Sequence, residues 1–373
     1  MSRPGAGDAR LARLLLRDVR CFADACLEPD VEGTTVLTGP NGSGKTTFLE
    51  GVYYLGTQRS FRTSARDSMV RGGCDGAVVR AELAREGRTL LVESELPRSG
   101  HVRTLVNRQV VRARRELARS VPVSVFSPED LGIVQGAPLR RRDLLDGALR
   151  LVDAEAAAAL DELERVLRQR SALLRRAGGR LGAIAGSLDV WDERLARVGG
   201  LVAGARGRLA GDLAPLAAEA YGGLAGVDAT GGGSGEGPVA IAYRATWAGS
   251  LAVALAARRE EDVRRAVTSV GPHRDDLEMR LGGRDARVEA SQGEQRSLAL
   301  ALRLAVHELV TARTGAAPLL LLDDVFSELD PDRSRSLVRH LPEGQALLTT
   351  ASPLPGGVRV AKVVDVTTAG RRG

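Results

Sequence analysis

Apolar and polar positions recur along this chain at several periods, and each period predicts a different element. Val36-Leu37-Thr38 is a short, partly β-branched run, and residues 48–55 carry apolar side chains at helical spacing. The glycine-rich residues between them therefore form a strand-to-helix turn. Pro318-Leu319-Leu320-Leu321-Leu322 is an unbroken apolar run of strand length that ends in Asp323-Asp324. A run with no polar face predicts a central strand of a parallel sheet, covered on both sides, with its carboxyl end at the ligand edge. Residues 297–306 are strongly helical, which puts Ser291 and Gly293 at or just before a helix N-terminus.

The middle of the chain follows a heptad instead. Leu160, Leu163, Leu167 and Leu174 share one register, and Leu188, Trp191, Leu195, Val198, Val202, Ala205, Leu209 and Leu216 continue it, with exceptions at Arg170 and Asp212. This predicts a short helical hairpin with its tip at residues 178–187. Helices of about 25 to 30 residues would reach only ~40 Å at 1.5 Å per residue. After a glycine-rich loop in the 230s, residues 238–243 read as a strand and 247–267 as a returning helix. The expected organisation is a head domain from residues 1–150 and 266–373, interrupted by a helical arm at 151–265.

Composition narrows the class. A chain of 373 residues with 43% hydrophobic and 27% charged side chains can bury a large core. A net charge of +6 and a pI near 9.8 favour an acidic partner such as nucleic acid. Aromatic residues amount to 3%, so base stacking on a single strand is disfavoured and duplex backbone contact preferred. Cys21, Cys26 and Cys74 have no metal-ligand spacing and read as reduced thiols. No segment approaches the ~20 apolar residues of a membrane span, and the expected location is the cytoplasm.

The turn after Thr38 reads GPNGSGKT, a P-loop. Gly39, Gly42 and Gly44 let the backbone approach a polyphosphate, and successive N–H groups with the helix N-terminus cradle the anion. Lys45 is one of only two lysines in the chain. Its compact ammonium suits the β- and γ-phosphates, a place that the broad Arg fork fills poorly. Thr46 offers a hydroxyl to Mg²⁺. Asp323 is the expected second metal-side ligand, and Asp324 the carboxylate that polarises the attacking water. Catalysis is thus assigned to Lys45 and Asp324, and the metal to Thr46 and Asp323. Ser291 has two readings: a phosphate-binding helix end, or a simple N-cap with Glu294 completing a capping box.

The order of these motifs resembles an ABC-type ATPase head. A P-loop is followed by a long insertion, then Ser291-Gln292-Gly293-Glu294-Gln295, then the strand ending at Asp323-Asp324, then Ser327-Glu328-Leu329-Asp330. A head split by a helical arm is similar to the SMC group. Four further runs are similar to those of the RecF family: Val125-Phe126-Ser127-Pro128-Glu129-Asp130-Leu131, Arg140-Arg141-Arg142-Asp143-Leu144-Leu145-Asp146, Gly271-Pro272-His273-Arg274-Asp275-Asp276, and residues 322–330.

That resemblance implies an ATP-dependent DNA-binding protein of recombinational repair and replication. It would dimerise on ATP, engage duplex DNA at gaps or junctions, and help RecO- and RecR-type mediators load a recombinase. By position, Gly39, Pro40, Asn41, Gly42, Ser43, Gly44, Lys45, Thr46 and Thr47 bind nucleotide, and Ser291 and Gly293 form the signature. Asp324 stands where many such heads have Glu, which implies slow, DNA-stimulated hydrolysis. Neither a switch histidine nor the glutamine expected after the strand near Phe126 has an evident counterpart, and Thr349-Thr350 occupy the switch place. Weaker candidates are His273 and Arg274, as readily an ion-paired structural turn, and Arg17 and Arg20 and the arm arginines Arg165, Arg168, Arg175 and Arg176, whose commoner reading is a solvated charge or face.

Overall fold

Two apolar patterns build two kinds of sheet. The computed structural model describes residues 9–63, 65–85, 87–225, 238–327 and 329–372. In chain order its strands are β1 (Arg10–Val19), β2 (Phe22–Leu27), β3 (Thr34–Thr38), β4 (Gly76–Arg85), β5 (Arg88–Pro97), β6 (Arg103–Val106), β7 (Gln109–Val111), β8 (Val123–Phe126), β9 (Val239–Arg244), β10 (Asp276–Leu281), β11 (Arg284–Asp285), β12 (Leu319–Asp323), β13 (Ala346–Thr349), β14 (Val360–Asp365) and β15 (Gly370–Arg372). The α-helices are α1 (Lys45–Thr57), α2 (Arg114–Ser120), α3 (Leu131–Val134), α4 (Pro138–Val152), α5 (Ala154–Ala177), α6 (Ala185–Ala225), α7 (Leu251–Arg265), α8 (Gln292–Thr314) and α9 (Pro331–His340).

The chain forms two compact units. The first comprises Met1–Leu131, Leu216–Gly231 and Gln292–Gly373, and the second Gly132–Pro215 and Gly232–Ser291. The second is thus broader than the expected 151–265 arm, because α4 and the β9–β11 sheet pack within it.

In the first unit a parallel sheet runs β14-β3-β13-β12-β8. Leu319 to Leu322 pair with β8 on one side, Leu320 to Leu322 pair with β13 on the other, and all four are buried, which explains the lack of polar alternation. An antiparallel sheet, β15-β2-β1-β4-β5-β6-β7, has the other pattern. Along β4, Ala77, Val79, Ala81 and Leu83 are buried while Val78, Arg80 and Glu82 between them are partly open. Helix α1 supplies Phe48, Leu49, Val52 and Leu55 to the core shared with Leu14, Leu16 and Val79. Its approach is close. A Cβ on Gly51 would lie 2.8 Å from a Leu16 methyl.

In the second unit, α5 has 24 residues; α6, with 41, begins there, with Pro215 inside it and its residues after Pro215 belonging to the first unit. At 1.5 Å per residue these are about 36 and 62 Å long, so α6 exceeds the expected length. The tip is capped by Gly178 in the left-handed conformation, and Leu174, Ala177, Ile184, Leu188 and Val263 close around it. Arg170, the break in the heptad, is fully buried: Nε donates to Asp192 at 2.8 Å, and Nη1 to Asp262 and Thr268, each at 2.8 Å. A buried charge with two carboxylates replaces the apolar knob there. The glycine-rich loop expected in the 230s lies outside the described residues. Among the described residues no helix is long and apolar enough to cross a membrane.

Candidate nucleotide-binding site

The loop after β3 has the backbone that its glycines predict. Gly39, Gly42 and Gly44 take φ of +144°, +75° and +99°, in the region that L side chains rarely adopt. Gly44 has a second constraint, because a Cβ there would stand 2.5 Å from the Phe22 ring and 2.8 Å from the Cys21 sulfur. The loop is therefore pressed onto the turn between β1 and β2. Lys45 opens α1 and folds back across the loop, its Nζ donating to the carbonyls of Gly39 at 2.7 Å and Pro40 at 3.0 Å. Pro40, Asn41 and Gly42 are exposed, whereas the Ser43 and Thr47 side chains are buried.

The second half of the site comes from the parallel sheet. The Thr46 hydroxyl donates to Asp323 Oδ1 at 2.7 Å, and Thr349 Oγ1 donates to the same oxygen at 2.7 Å. The register that pairs Asp323 with Thr349 aligns the second contact. Burial holds the Asp323 carboxyl above the usual carboxylate range, while the hydroxyl bonds from Thr349 and Thr46 act against that rise. A buried carboxylate beside a hydroxyl is a hard oxygen pair that a dication fits, and Mg²⁺ commonly takes only one or two protein carboxylates. No group of three His, Cys, Asp or Glu able to hold a metal occurs among the described residues.

Asp324 differs from its neighbour. It has left the strand with φ +47°, its N–H donating to the Thr349 hydroxyl at 3.0 Å, and its side chain is half-buried. It lines a cleft with Ser127, Arg296 and Leu329. Asp is among the few residues that tolerate that backbone. The two acids are thus separated by conformation as well as by facing.

Ser291 immediately precedes α8, and Gly293 lies in its first turn. Space explains the glycine. A Cβ on Gly293 would lie 2.6 Å from Arg333 Nη1, and Arg333 is held by Asp330, the N-cap of α9, at 3.1 Å. Of the turn expected at 327–330, Glu328 lies outside the described residues. Thr46, Asp323 and Thr349 form one cluster; Gly293, Asp330 and Arg333 form another.

Several residues have functions that the sequence does not reveal. Arg20 makes a two-point pair with the fully buried Glu50 of α1, Nη2 to Oε1 at 2.6 Å and Nε to Oε2 at 3.0 Å, so it is neither a solvated edge charge nor an open phosphate ligand. Asp130, at the turn after β8, accepts from Arg303 of α8 at 2.6 Å. His273 and Arg274 both contact the Thr268 carbonyl, and Asp276 pairs with Arg141, which makes this run an internal turn of the second unit. Arg165, Arg168, Arg175 and Arg176 are exposed. The three cysteines carry free thiols.

A P-loop strand whose helix threonine reaches across one strand to the acid closing the next, with a serine-glycine helix start from a later segment, defines an ABC-type P-loop ATPase head. The profile described as the RecF/RecN/SMC N terminal domain matches residues 10–351. The DNA replication and repair protein RecF of Streptomyces avermitilis is 39% identical over 360 residues, 92% of this chain and 93% of that protein. A solved structure of the recombination mediator protein RecF with ATP, of the RecFOR pathway, is 27% identical, covers 95% of each chain and superposes with a TM-score of 0.82. An Smc head domain with an extended coiled coil from Pyrococcus furiosus, 15% identical over 92% of this chain and 90% of that one, shares the fold with a TM-score of 0.50. The chain belongs to the RecF family.

Proposed function

We propose that this protein binds ATP with Mg²⁺ and uses it to control engagement of duplex DNA in recombinational repair and replication. The observation that carries the nucleotide reading is the meeting of Thr46 with Asp323, beside a Lys45 laid across a glycine loop. In this reading the loop from Gly39 to Thr47 holds the phosphates, and Lys45 stabilises charge on the transferred group. A dication held by Thr46 and Asp323 would neutralise phosphate charge. Asp324 orients and polarises water, and its short side chain makes turnover slow. The relative's description as a DNA replication and repair protein, and the solved RecF of the RecFOR pathway, support DNA and RecO- and RecR-type mediators as partners. Work on DNA places the protein in the cytoplasm, at the nucleoid. The helices of residues 151–265 serve as the arm.

The site is shared between two copies. Ser291 and Gly293 cap the nucleotide held by the P-loop of a second copy, so ATP joins a two-fold dimer. Mixing two inactive variants, Lys45→Ala and Ser291→Arg, tests this. A mixed dimer has one site with both defects and one with neither, so the mixture should regain ATP hydrolysis that each variant lacks. Mixed dimers shown by crosslinking but without activity would refute the shared site.

A further inference from the structure

The net charge of this chain is concentrated in one place. Residues 98–119, from the end of β5 through the β6–β7 hairpin and α2, hold seven of the 53 basic residues and one of the 47 acidic ones, Glu116. That stretch is +6, the formal charge of the whole protein. Arg103, Arg108, Arg112 and Arg119 are exposed and make no ion pair among the described residues, and His101 is exposed beside them.

Backbone geometry presents these side chains. The last ladder pair of the hairpin is Thr104 with Val111, so Arg103 and Arg112 flank it at the same end. Arg108 sits at the other end, in a two-residue turn where Asn107 and Arg108 have φ of +49° and +68°. Such turns favour Asn-Gly, and an arginine in the second position accepts left-handed strain. The turn is nevertheless fixed, since Asn107 exchanges bonds with Leu91 of β5, N–H to carbonyl at 2.8 Å and Oδ1 from the Leu91 N–H at 2.9 Å. Strand β7 closes the sheet order, and Gln109 and Val110 are exposed along it. Charge on an edge strand deters pairing with other chains, yet that accounts for one or two arginines and not for those that continue onto α2.

Arginines at this density repel one another unless a polyanion meets them. The nearest carboxylates on the sheet, Glu93 and Glu95 of β5, face Leu105 and Arg103 in register, and Glu93 lies 3.9 Å from Arg80. No aromatic residue lies within 98–119, so the surface has no platform for unstacked bases and suits a phosphate backbone. Strand β6, from Arg103 to Val106, spans about 10 Å, roughly three base-pair steps of duplex.

We infer that the β6–β7 hairpin and α2 form a contact surface for the phosphate backbone of duplex DNA, carried by Arg103, Arg108, Arg112 and Arg119. This rests on the proposed DNA reading and assigns it a place. The test is fluorescence anisotropy of a labelled duplex with the full-length protein and ATP, across a salt series. The variant Arg103→Ala/Arg108→Ala/Arg112→Ala should give a slope of log affinity against log salt shallower by about 2.7, at ~0.9 per phosphate contact. Its affinity at 0.1 M salt should fall by roughly two to three decades. ATP binding and melting temperature should stay as in the parent. Arg168→Ala/Arg175→Ala/Arg176→Ala removes equal charge from α5 and should leave the slope near the parent's.

Equal binding by parent and hairpin variant overturns the inference, as does an equal loss in the α5 variant, which would be a net-charge effect. A hairpin variant that keeps duplex binding but loses polyglutamate binding would assign the surface to an acidic protein and overturn it too. A parent protein that binds no duplex overturns it together with the DNA reading beneath it.

Discussion

Replacing Asp324 by asparagine separates its carboxylate from its unusual backbone. Asp324 has φ +47°, and asparagine tolerates the left-handed region as well as aspartate does, so Asp324→Asn should leave stability within about 0.5 kcal/mol of the parent. What it removes is the charge proposed to polarise water. Loss of a positioned general base lowers a rate by about 10²- to 10⁴-fold, which is roughly 2.7 to 5.5 kcal/mol of barrier. Asp324→Ala should lose the same rate and also about 1–2 kcal/mol of stability, because alanine pays the left-handed penalty. ATP affinity should survive in both, since Thr46, Asp323 and Lys45 are untouched. The assays are phosphate release with DNA present, nucleotide titration and thermal melting. An Asp324→Asn protein that keeps more than a tenth of the parent rate would refute the assignment, and loss of ATP binding in both variants would refute the division between Asp324 and the loop.

Two further outcomes are expected. Lys45→Ala should abolish ATP binding in titration, and Lys45→Arg should fail as well, because a guanidinium cannot fold into the loop where Nζ reaches Gly39 and Pro40; tight binding by either would sink the phosphate role. His307 of α8 is buried, neither ring nitrogen has a hydrogen-bond partner, and burial pushes its pKa down to about 4 from 6.5. The unfolded chain therefore takes a proton between pH 6.5 and 4 that the folded one refuses. Stability from this group is full above pH 6.5 and falls by about 3 kcal/mol as pH drops to 4. His273 behaves in the same direction. Denaturant melts from pH 8 to 4.5 should show a flatter acid dependence for His307→Leu, and an unchanged one would contradict this account.

What the sequence discloses depends on how local the cause is. The P-loop is legible because its glycines and its flanking strand and helix are contiguous, and β12 because burial on both faces leaves no polar residue until Asp323. Helix α7 and strand β9 fall within a few residues of expectation for the same reason. The seven-stranded sheet is harder to read, since Arg80 and Glu82 on its open face dilute the apolar signal and its partners are scattered from β1 to β15. Arg170 looks like a fault in a heptad because one of its carboxylates, Asp262, is 92 residues away. Thr349 takes part in the site only through the register of β12 with β13. Pro215 ordinarily ends a helix, yet α6 continues through it with Leu213 and Ala217 fully buried on either side.

The placement of β3 has a consequence for how the molecule is made. This strand delivers the P-loop, yet its neighbours in the sheet are β13 and β14, from the last thirty or so residues of the chain. Gln345 adds a buried tie from that same late segment to both carbonyl and amide of Leu11. A ribosome moving at about 5–20 residues per second needs roughly 15–60 s between finishing β3 and delivering β13. Throughout that interval the nascent chain holds a complete P-loop sequence with no sheet to hold it open. Nucleotide therefore cannot guide the early stages of folding, and a chain released before β13 emerges leaves β3 an apolar strand without either neighbour, a substrate for chaperones and proteases rather than a weak ATP binder.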